Sequence, residues 1–195
     1  TNKSLLMSFF ISILFILTIF TSSVAALDFD PNDYDFLVYD CGDGRIQAAM
    51  DKLGISYTVR NNNNAVTSQD LIDYDILLVG WKEYADDTGG LQANIIGAGI
   101  TGRVLLSGHD LDFHTAPPAG KAAAYRQAAE TALGQAIGWV LAGGHTGLLA
   151  NGELVSAFDW LPQSWGITVT DELTENTITW FTPEGDASGI FDGLI

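Results

Sequence analysis

The chain has 195 residues, of which 47% are hydrophobic, and it carries 24 acidic against 8 basic side chains, a formal net charge of −16 at pH 7. Such a surface repels phosphate groups, which proteins bind through lysine and arginine, so nucleic acids and anionic membrane surfaces are poor partners. The single cysteine, Cys41, excludes an internal disulfide and with it a small disulfide-stapled scaffold.

The first 26 residues have the pattern of a secretory signal peptide. Lys3 gives a positive start, an almost continuous apolar run extends from Leu5 to Phe20, and small residues lead to Ala26. The apolar run is shorter than the roughly 20 residues that a membrane-spanning helix needs, which favours cleavage over an uncleaved anchor. We therefore expect a secreted or cell-surface protein that starts at Leu27 and has no membrane association after cleavage.

Residues 27–195 are enough chain for a single domain with one sizeable core. The sequence starts without methionine and stops inside the pattern GIFDGL. We therefore expect the domain to be truncated at its C-terminus.

Short apolar runs alternate with helical patterns as far as Leu141. Strands are predicted at 36–39, 56–59, 75–79 and 103–106, and helices at 45–53, from 67–70 onward, at 91–96 and at 120–141. Near-continuous apolar strands are typical of parallel sheets covered on both faces. The pattern predicts an α/β three-layer sandwich with a mainly parallel sheet. Beyond Gly147, the segments GITVTDEL and TENTITWF predict a C-terminal strand extension.

Ligands of such sheets bind outside the carboxyl ends of the strands. Polar loops follow the first, third and fourth predicted strands, and in a 2-1-3-4-5 strand order these three strands would be adjacent. Their loops are then expected to converge on one edge of the sheet. This predicts a ligand site formed by Asp40, Cys41, Gly42, Trp81, Gly108, His109 and Asp110.

The segment SGHDLDFHT, residues 107–115, contains two of the three histidines. His109, Asp110 and His114 have donor atoms suited to a divalent metal, although their spacing matches no recognised ligand motif. The alternative that we favour is a degenerate nucleophile turn, with His109 pointing into the cleft near Asp40 and Cys41. His114 and Asp112 are then expected to face solvent, and we expect no bound metal or cofactor.

The candidate catalytic residues are His109 and Cys41. Cys41 follows a strand and has the position of a possible nucleophile, whereas a buried thiol packed under the first loop is the alternative that we favour. His145 lies in a glycine-rich turn. It could contribute to the site only if that turn reached the end of the sheet where the ligand is expected to bind. The segment DWLPQSWG is the best candidate for exposed aromatic side chains.

The run Gly97–Gly102 spells G-x-G-x-x-G, the fingerprint of dinucleotide-binding loops. That fingerprint works between a strand and a following helix, where the helix N-terminus meets pyrophosphate. Here a predicted helix precedes the run and a strand follows it. The sequence therefore predicts a helix-to-strand turn and no nucleotide site.

The segments FLVYDCGDG, YDILLVG, RVLLSGHD, LPQSWGITVT and GIFDGL resemble the class I glutamine amidotransferase-like domain, closest to its ThuA-like branch and exported bacterial relatives. The resemblance covers most of the mature chain and implies a flavodoxin-like fold. In that family a turn after a strand carries a cysteine nucleophile that works with a His-x-Glu pair. Here His109 occupies the cysteine position, and His145 is followed by Thr146 and Gly147, so the resemblance implies no glutamine amidotransferase activity.

The ThuA-like resemblance implies at most a carbohydrate-related role. The leading hypothesis is therefore a secreted domain that binds a small-molecule or carbohydrate ligand, or a partner. One alternative is a metal- or histidine-dependent hydrolase at the His109 end of the sheet. Another is a structural module of a larger surface protein.

Overall fold

The protein is described by a computed structural model that covers residues 27–81, 88–108, 110–116, 123–152 and 155–167. In these ranges the strands form a single parallel sheet with the order β2-β1-β3-β5-β4. The strands are β1 (Phe36–Tyr39), β2 (Thr58–Arg60), β3 (Ile76–Val79), β4 (Val104–Ser107) and β5 (Gly147–Asn151). The predicted signal peptide, His109 and the predicted strand extension from residue 168 onward lie outside the described residues.

Helices cover both faces of the sheet and make a three-layer α/β sandwich. They are α1 (Arg45–Leu53), α2 (Asp70–Asp73), α3 (Ala93–Gly99), α4 (Leu111–Thr115) and α5 (Ala123–Leu141), with 3-10 turns at Pro31–Asp33, Val155–Phe158 and Gln163–Trp165. Successive strand residues point to opposite faces. One buried cluster therefore joins α1, α4 and α5, and a second joins α2, α3 and the two later 3-10 turns. None of the described helices is long and apolar enough to cross a membrane.

The position of β5 differs from the sequence prediction. β5 lies between β3 and β4, with Leu149 opposite Leu78 on one side and Leu105 on the other. The predicted adjacency of the third and fourth strands is therefore wrong. The cause is the run GLLAN, whose five residues are all buried and which enters the sheet between β3 and β4 after α5. The carboxyl end of β4 consequently lies two strand spacings, roughly 10 Å, from that of β3.

Helix α2 begins with a reciprocal cap. The backbone N–H of Thr67 donates to Asp70 Oδ2 over 2.8 Å, and the backbone N–H of Asp70 donates to Thr67 Oγ1 over 3.1 Å. This is the capping-box arrangement, in which two side chains satisfy amide groups that the helix leaves unpaired. Asp70 also binds Arg60 at the end of β2, with Nη2–Oδ1 and Nε–Oδ2 distances of 2.6 and 3.1 Å. The cap therefore ties α2 to the edge of the sheet.

The glycine run at 97–102 is explained by packing. A Cβ on Gly97 would lie 3.0 Å from Pro162 Cβ, one on Gly99 would lie 2.5 Å from Leu71 Cδ1, and one on Gly102 would lie 2.5 Å from the Gly144 carbonyl oxygen. Helix α3 ends at Gly99 and β4 begins at Val104. The expected helix-to-strand turn is therefore confirmed, and the close approach of neighbouring chain accounts for all three glycines.

The segment that leads into β1 packs on α5 through two more glycines. A Cβ on Gly134 would lie 2.9 Å from Leu27 Cδ2, and one on Gly138 would lie 3.2 Å from the Phe29 ring. Leu27 and Phe29 are both partly buried against the cluster that α5 shares with α1. The predicted first residue of the mature chain is thus part of the folded body.

Candidate functional site

The loop after β1 is organised by its aspartate. Asp40 Oδ1 accepts hydrogen bonds from the backbone N–H groups of Gly42 and Gly44, over 3.0 and 3.1 Å. Both glycines have positive φ, 105° and 70°, a conformation that other residues rarely adopt. One carboxylate oxygen of Asp40 is therefore committed to the shape of the loop.

Cys41 connects this loop to the end of β3. Its side chain is 3% exposed, and Sγ donates to the Gly80 carbonyl oxygen over 3.4 Å. This is the environment of a buried thiol and not of an exposed nucleophile. It agrees with the favoured prediction that Cys41 packs beneath the first loop.

A polar cavity of about 200 Å³ opens at the carboxyl ends of β1 and β2; we call it the rim cavity. Asp40, Cys41 and Gly42 line one side, and Asn61, Asn62 and Asn63 line the other. Three of the residues predicted for a ligand site therefore share one cavity. The asparagines were read from the sequence only as a polar loop. The rule that places ligands at strand ends would have found them had it been applied to the second strand.

The asparagine wall is held from behind by a buried tyrosine. The hydroxyl of Tyr39, a residue with 0% exposure, donates to Asn62 Oδ1 over 2.6 Å and accepts the Gly90 N–H over 2.9 Å. The Gly90 N–H also reaches Asn62 Oδ1, over 3.1 Å. Since a backbone N–H can only donate, the amide oxygen of Asn62 must face inward. The orientation of the Asn62 side chain is thus fixed by contacts below the cavity.

The most buried carboxyl group at this end of the sheet belongs to Asp112 in α4. Its exposure is 0%, and Oδ2 accepts the backbone N–H of Trp81 over 2.7 Å. The expectation that Asp112 faces solvent is wrong, because α4 turns back across the end of β5 and presses this side chain against Gly80 and Trp81. Trp81, the predicted ligand residue after β3, is therefore held by Asp112.

Burial raises the pKa of the Asp112 carboxyl to about 7. The Trp81 N–H works in the opposite direction by stabilising the ionised form, and the negative charge of Asp43 raises the pKa further. Within the described part of the chain, Asp112 Oδ1 has no hydrogen-bond partner. The group is thus a carboxylic acid poised to change charge near neutral pH.

Further polar side chains are buried at the ends of β4 and β5 and in α4. Ser107 and Asn151 are opposite each other in the sheet register, and they are 4% and 2% exposed. Thr115 in α4 is 0% exposed, and neither its Oγ1 nor Asn151 Oδ1 has a hydrogen-bond partner among the described residues. These buried polar groups make the carboxyl end of the sheet unlike the apolar interior beneath it.

The residues predicted from SGHDLDFHT are only partly placed. Asp110 is 7% exposed, and its Oδ2 lies 4.0 Å from Nε2 of His114, whose side chain is 13% exposed, so the expectation that His114 faces solvent is also wrong. Gly108 is buried at the end of β4. Among the described residues no group of three or more His, Cys, Asp or Glu side chains is arranged to hold a metal ion. The predictions that involve His109 concern a residue outside the described ranges.

Helix α4 is fastened to α1 by cations. Arg45 Nη1 donates to the Ala116 carbonyl oxygen over 3.0 Å, and its guanidinium lies 5.1 Å from the centre of the Phe113 ring. Lys52 Nζ donates to the Thr115 carbonyl oxygen over 3.0 Å. These contacts satisfy the last carbonyl groups of the short helix and keep Asp112 in place.

Two sequence candidates lie elsewhere. His145 is at the amino end of the sheet, with Nδ1 3.3 Å from Asp75 Oδ1 and Nε2 3.0 Å from the Ile72 carbonyl oxygen, so its turn does not reach the rim cavity. The aromatic side chains of DWLPQSWG, the best sequence candidates for exposed rings, pack against the protein instead. Trp160 is 6% exposed and donates to the Ala157 carbonyl oxygen, and Trp165 packs against the second buried cluster.

Compared with models of protein families, with curated proteins and with solved structures, the chain gives no match.

Proposed function

We propose that the chain is a secreted ligand-binding domain of amidotransferase-like fold that lacks the Cys-His-Glu triad, and that its ligand occupies the rim cavity. The observation that carries this proposal is the position of the cavity. It lies at the carboxyl ends of parallel strands, where ligands of this class of sheet bind, and the loop Asp40–Gly42 forms one of its walls. The amidotransferase-like identity rests on the sequence resemblance, and secretion rests on the signal-peptide pattern.

The lining of the rim cavity favours a small neutral ligand with hydroxyl groups. Among the described residues that line it, the polar side chains include one carboxylate and three primary amides, and none is a lysine or arginine. Anions are disfavoured by Asp40 and by the net charge of −16. A volume of about 200 Å³ is below the roughly 300–1,000 Å³ of pockets for drug-sized ligands. A monosaccharide fits this chemistry and agrees with the carbohydrate-related role that the sequence resemblance implies.

To test this, a protein whose first residue is Leu27 is titrated with a panel of neutral monosaccharides. Binding is measured by calorimetry and by the NMR shifts of the asparagine amides. Asp40→Asn keeps an oxygen for the Gly42 and Gly44 N–H groups but replaces the other oxygen with an amide nitrogen. We expect this variant to weaken binding about tenfold, the loss of one charge-assisted hydrogen bond. Asp73→Asn, at an exposed position of α2, is the matched control and should bind as the wild type does.

A folded protein that binds no sugar of the panel would contradict the proposal and favour a structural module. Binding that shifts amides away from the rim cavity would contradict the assigned site.

A hydrolase is the second candidate, and one observation favours it. A carboxyl group with a pKa of about 7, such as Asp112, has the proton affinity that acid–base catalysis at neutral pH needs. Hydrolysis of nitrophenyl esters and glycosides by wild type, and its loss in both Asp112→Asn and His109→Ala, would replace the binding proposal with this one.

A further inference from the structure

A second cavity lies at the opposite end of the same strands. It has a volume of about 320 Å³ and is bordered by the residues that precede β1, β2 and β3. Its lining residues include four aromatics, Tyr34, Phe36, Tyr57 and Tyr74, of which Phe36 is only 2% exposed; we call it the tyrosine cavity. It is larger than the rim cavity and falls within the usual size range of ligand pockets.

The walls of the tyrosine cavity are held by the protein itself. The Tyr57 hydroxyl donates to Asp51 Oδ1 over 2.9 Å, and the Tyr74 hydroxyl donates to Thr58 Oγ1 over 2.8 Å. The Tyr34 ring packs edge-on against Phe29, with 6.1 Å between the ring centres. A preformed wall costs little ordering free energy when a ligand enters.

The same hydrogen bonds limit which ligands the cavity suits. The phenol protons of Tyr57 and Tyr74 are directed to acceptors within the protein, so these groups do not supply donors to an anion. The described lining residues include no lysine or arginine, and the charged residue among them is Asp35. The backbone N–H of Asp35 is held by Asp75 Oδ2 over 2.8 Å, which fixes the chain at that point.

Aromatic rings beside a carboxylate, in a described lining that includes no basic side chain, suit an organic cation. Cations are attracted to the faces of tyrosine rings, and methylated ammonium groups are the ligands that aromatic cages typically bind. The net charge of −16 further concentrates cations around the protein. A neutral sugar would also tolerate the rings, but it would gain nothing from the charge.

We propose that the tyrosine cavity binds a small organic cation of the quaternary-ammonium class, with its methyl groups against the tyrosine rings and its charge toward Asp35. This site is independent of the ligand proposed for the rim cavity. The two sites lie at opposite ends of the sheet, so each can be tested without the other.

The experiment compares choline with 3,3-dimethyl-1-butanol, the neutral carbon analogue of the same shape. Isotope-labelled protein whose first residue is Leu27 is titrated with each compound at low and at high salt. Binding is measured from the NMR shifts of the residues that line the tyrosine cavity. We expect choline to bind about tenfold more tightly than the neutral analogue, in keeping with the size of a partly desolvated cation–π contact, and more weakly at high salt.

Two variants separate the ring from the charge. Tyr34→Ala should weaken choline binding at least about fivefold while Tyr34→Phe retains it, because a phenyl face also attracts cations. Asp35→Asn, at an exposed position, should also weaken binding, and exposed Asp159→Asn should not. Circular dichroism and retained rim-cavity shifts establish that each variant is folded.

Equal affinity for choline and its neutral analogue would overturn the proposal. So would binding of glucose in place of choline, or choline shifts that spare the lining residues.

Discussion

The carboxylate of Asp112 accepts the backbone N–H of Trp81 over 2.7 Å, although the strands that precede these two residues are not neighbours. β5 lies between them, and α4 spans its end. The rings of Trp81 and Phe113 also pack together, with 5.4 Å between their centres. The hydrogen bond and the ring contact therefore join the segments after β3 and β4, which the sequence had predicted to meet because their strands were adjacent.

The first prediction concerns the pH dependence of stability. The pKa of Asp112 is about 7 in the folded protein, against about 4 for an ordinary aspartate, so folding retains a proton that the unfolded chain releases. The stability that this proton provides is complete below about pH 4 and is lost as the pH rises to about 7. Asp112→Asn, which imitates the protonated acid, should be more stable than wild type at pH 8 by up to about 4 kcal/mol, with little difference at pH 4.

Urea unfolding between pH 4 and pH 8 measures this difference. Asp73→Asn removes one negative charge from an exposed position and controls for the effect of net charge. Parallel stability curves for wild type and Asp112→Asn would contradict the prediction.

Much of the fold was predictable because three strands are unbroken apolar runs. Residues 36–39, 76–79 and 104–106 are apolar throughout, a pattern typical of strands buried on both faces. β5 was missed because GLLAN is too short for periodicity to distinguish a strand from other buried chain. Its place between β3 and β4 is decided by contacts between segments about 70 residues apart, which no local pattern records.

The candidate site was predicted less completely than the fold. The position of Asp40–Gly42 at a strand end follows from the alternation of strands and helices. The burial of Asp112 does not, because a polar residue in a polar segment reads as solvent-exposed until the path of α4 is known. The role of Tyr39 was equally hidden, since a tyrosine in an apolar strand gives no sign of where its hydroxyl points.

The second prediction concerns acid sensitivity at Asp70, which is 5% exposed. Burial is the largest single effect and raises the pKa of this carboxyl, but the hydrogen bonds from Arg60 and Thr67 together outweigh it and hold the pKa below its usual value. Its contribution to stability is therefore present at neutral pH and is lost as the pH falls through the folded-state pKa. Asp70→Asn should cost roughly 2–3 kcal/mol at pH 7, and the deficit should shrink in acid.

Thermal unfolding at pH 7 and pH 3 tests this. Thr67→Ala removes the cap and leaves the Arg60 contact, and it should cost about 1 kcal/mol at both pH values. A deficit for Asp70→Asn that does not change with pH would show that the ion pair is not the cause.

The third prediction compares two adjacent glycines. A Cβ on Gly90 would lie 2.7 Å from both the Asn61 carbonyl oxygen and the Tyr39 hydroxyl, whereas one on Gly89 would be no closer than 3.5 Å to its nearest neighbour. Gly90→Ala should destabilise the fold by about 1–3 kcal/mol, because a backbone oxygen cannot yield as a flexible side chain does. Gly89→Ala should be neutral within about 0.5 kcal/mol. Urea unfolding decides, and similar losses in the two variants would contradict the packing seen at Gly90.

The fourth prediction concerns Tyr39. Tyr39→Phe removes the hydroxyl that orients Asn62 but leaves the Gly90 N–H a partner in Asn62 Oδ1, so the cost in stability should be only about 1 kcal/mol. Any sugar bound in the rim cavity should lose several-fold in affinity, because Asn62 is no longer fixed. Tyr57→Phe loses a comparable hydroxyl outside the rim cavity and should leave that affinity unchanged. Calorimetry on both variants checks this, and an equal effect in both would reject the positioning role.

The fifth prediction is the start of the exported protein. Signal peptidases require a small residue directly before the cleaved bond, so Ala26→Phe should block processing, while Ala25→Leu, one position earlier, should not. Mass spectrometry of the exported protein should then find Leu27 as the first residue of wild type and of Ala25→Leu. Wild-type protein that starts at another residue, or normal processing of Ala26→Phe, would contradict the prediction.

The position of β5 between β3 and β4 also sets the order in which the sheet can assemble. β3 and β4 flank an opening one strand wide until Gly147–Asn151 enters it, so residues 36–107 alone cannot complete the hydrogen-bonded sheet. A chain that emerges from its N-terminus therefore stays loosely structured until its later part has emerged, since contacts between distant segments form late. This strand order delays completion of the sheet until Gly147–Asn151 can pair with both β3 and β4.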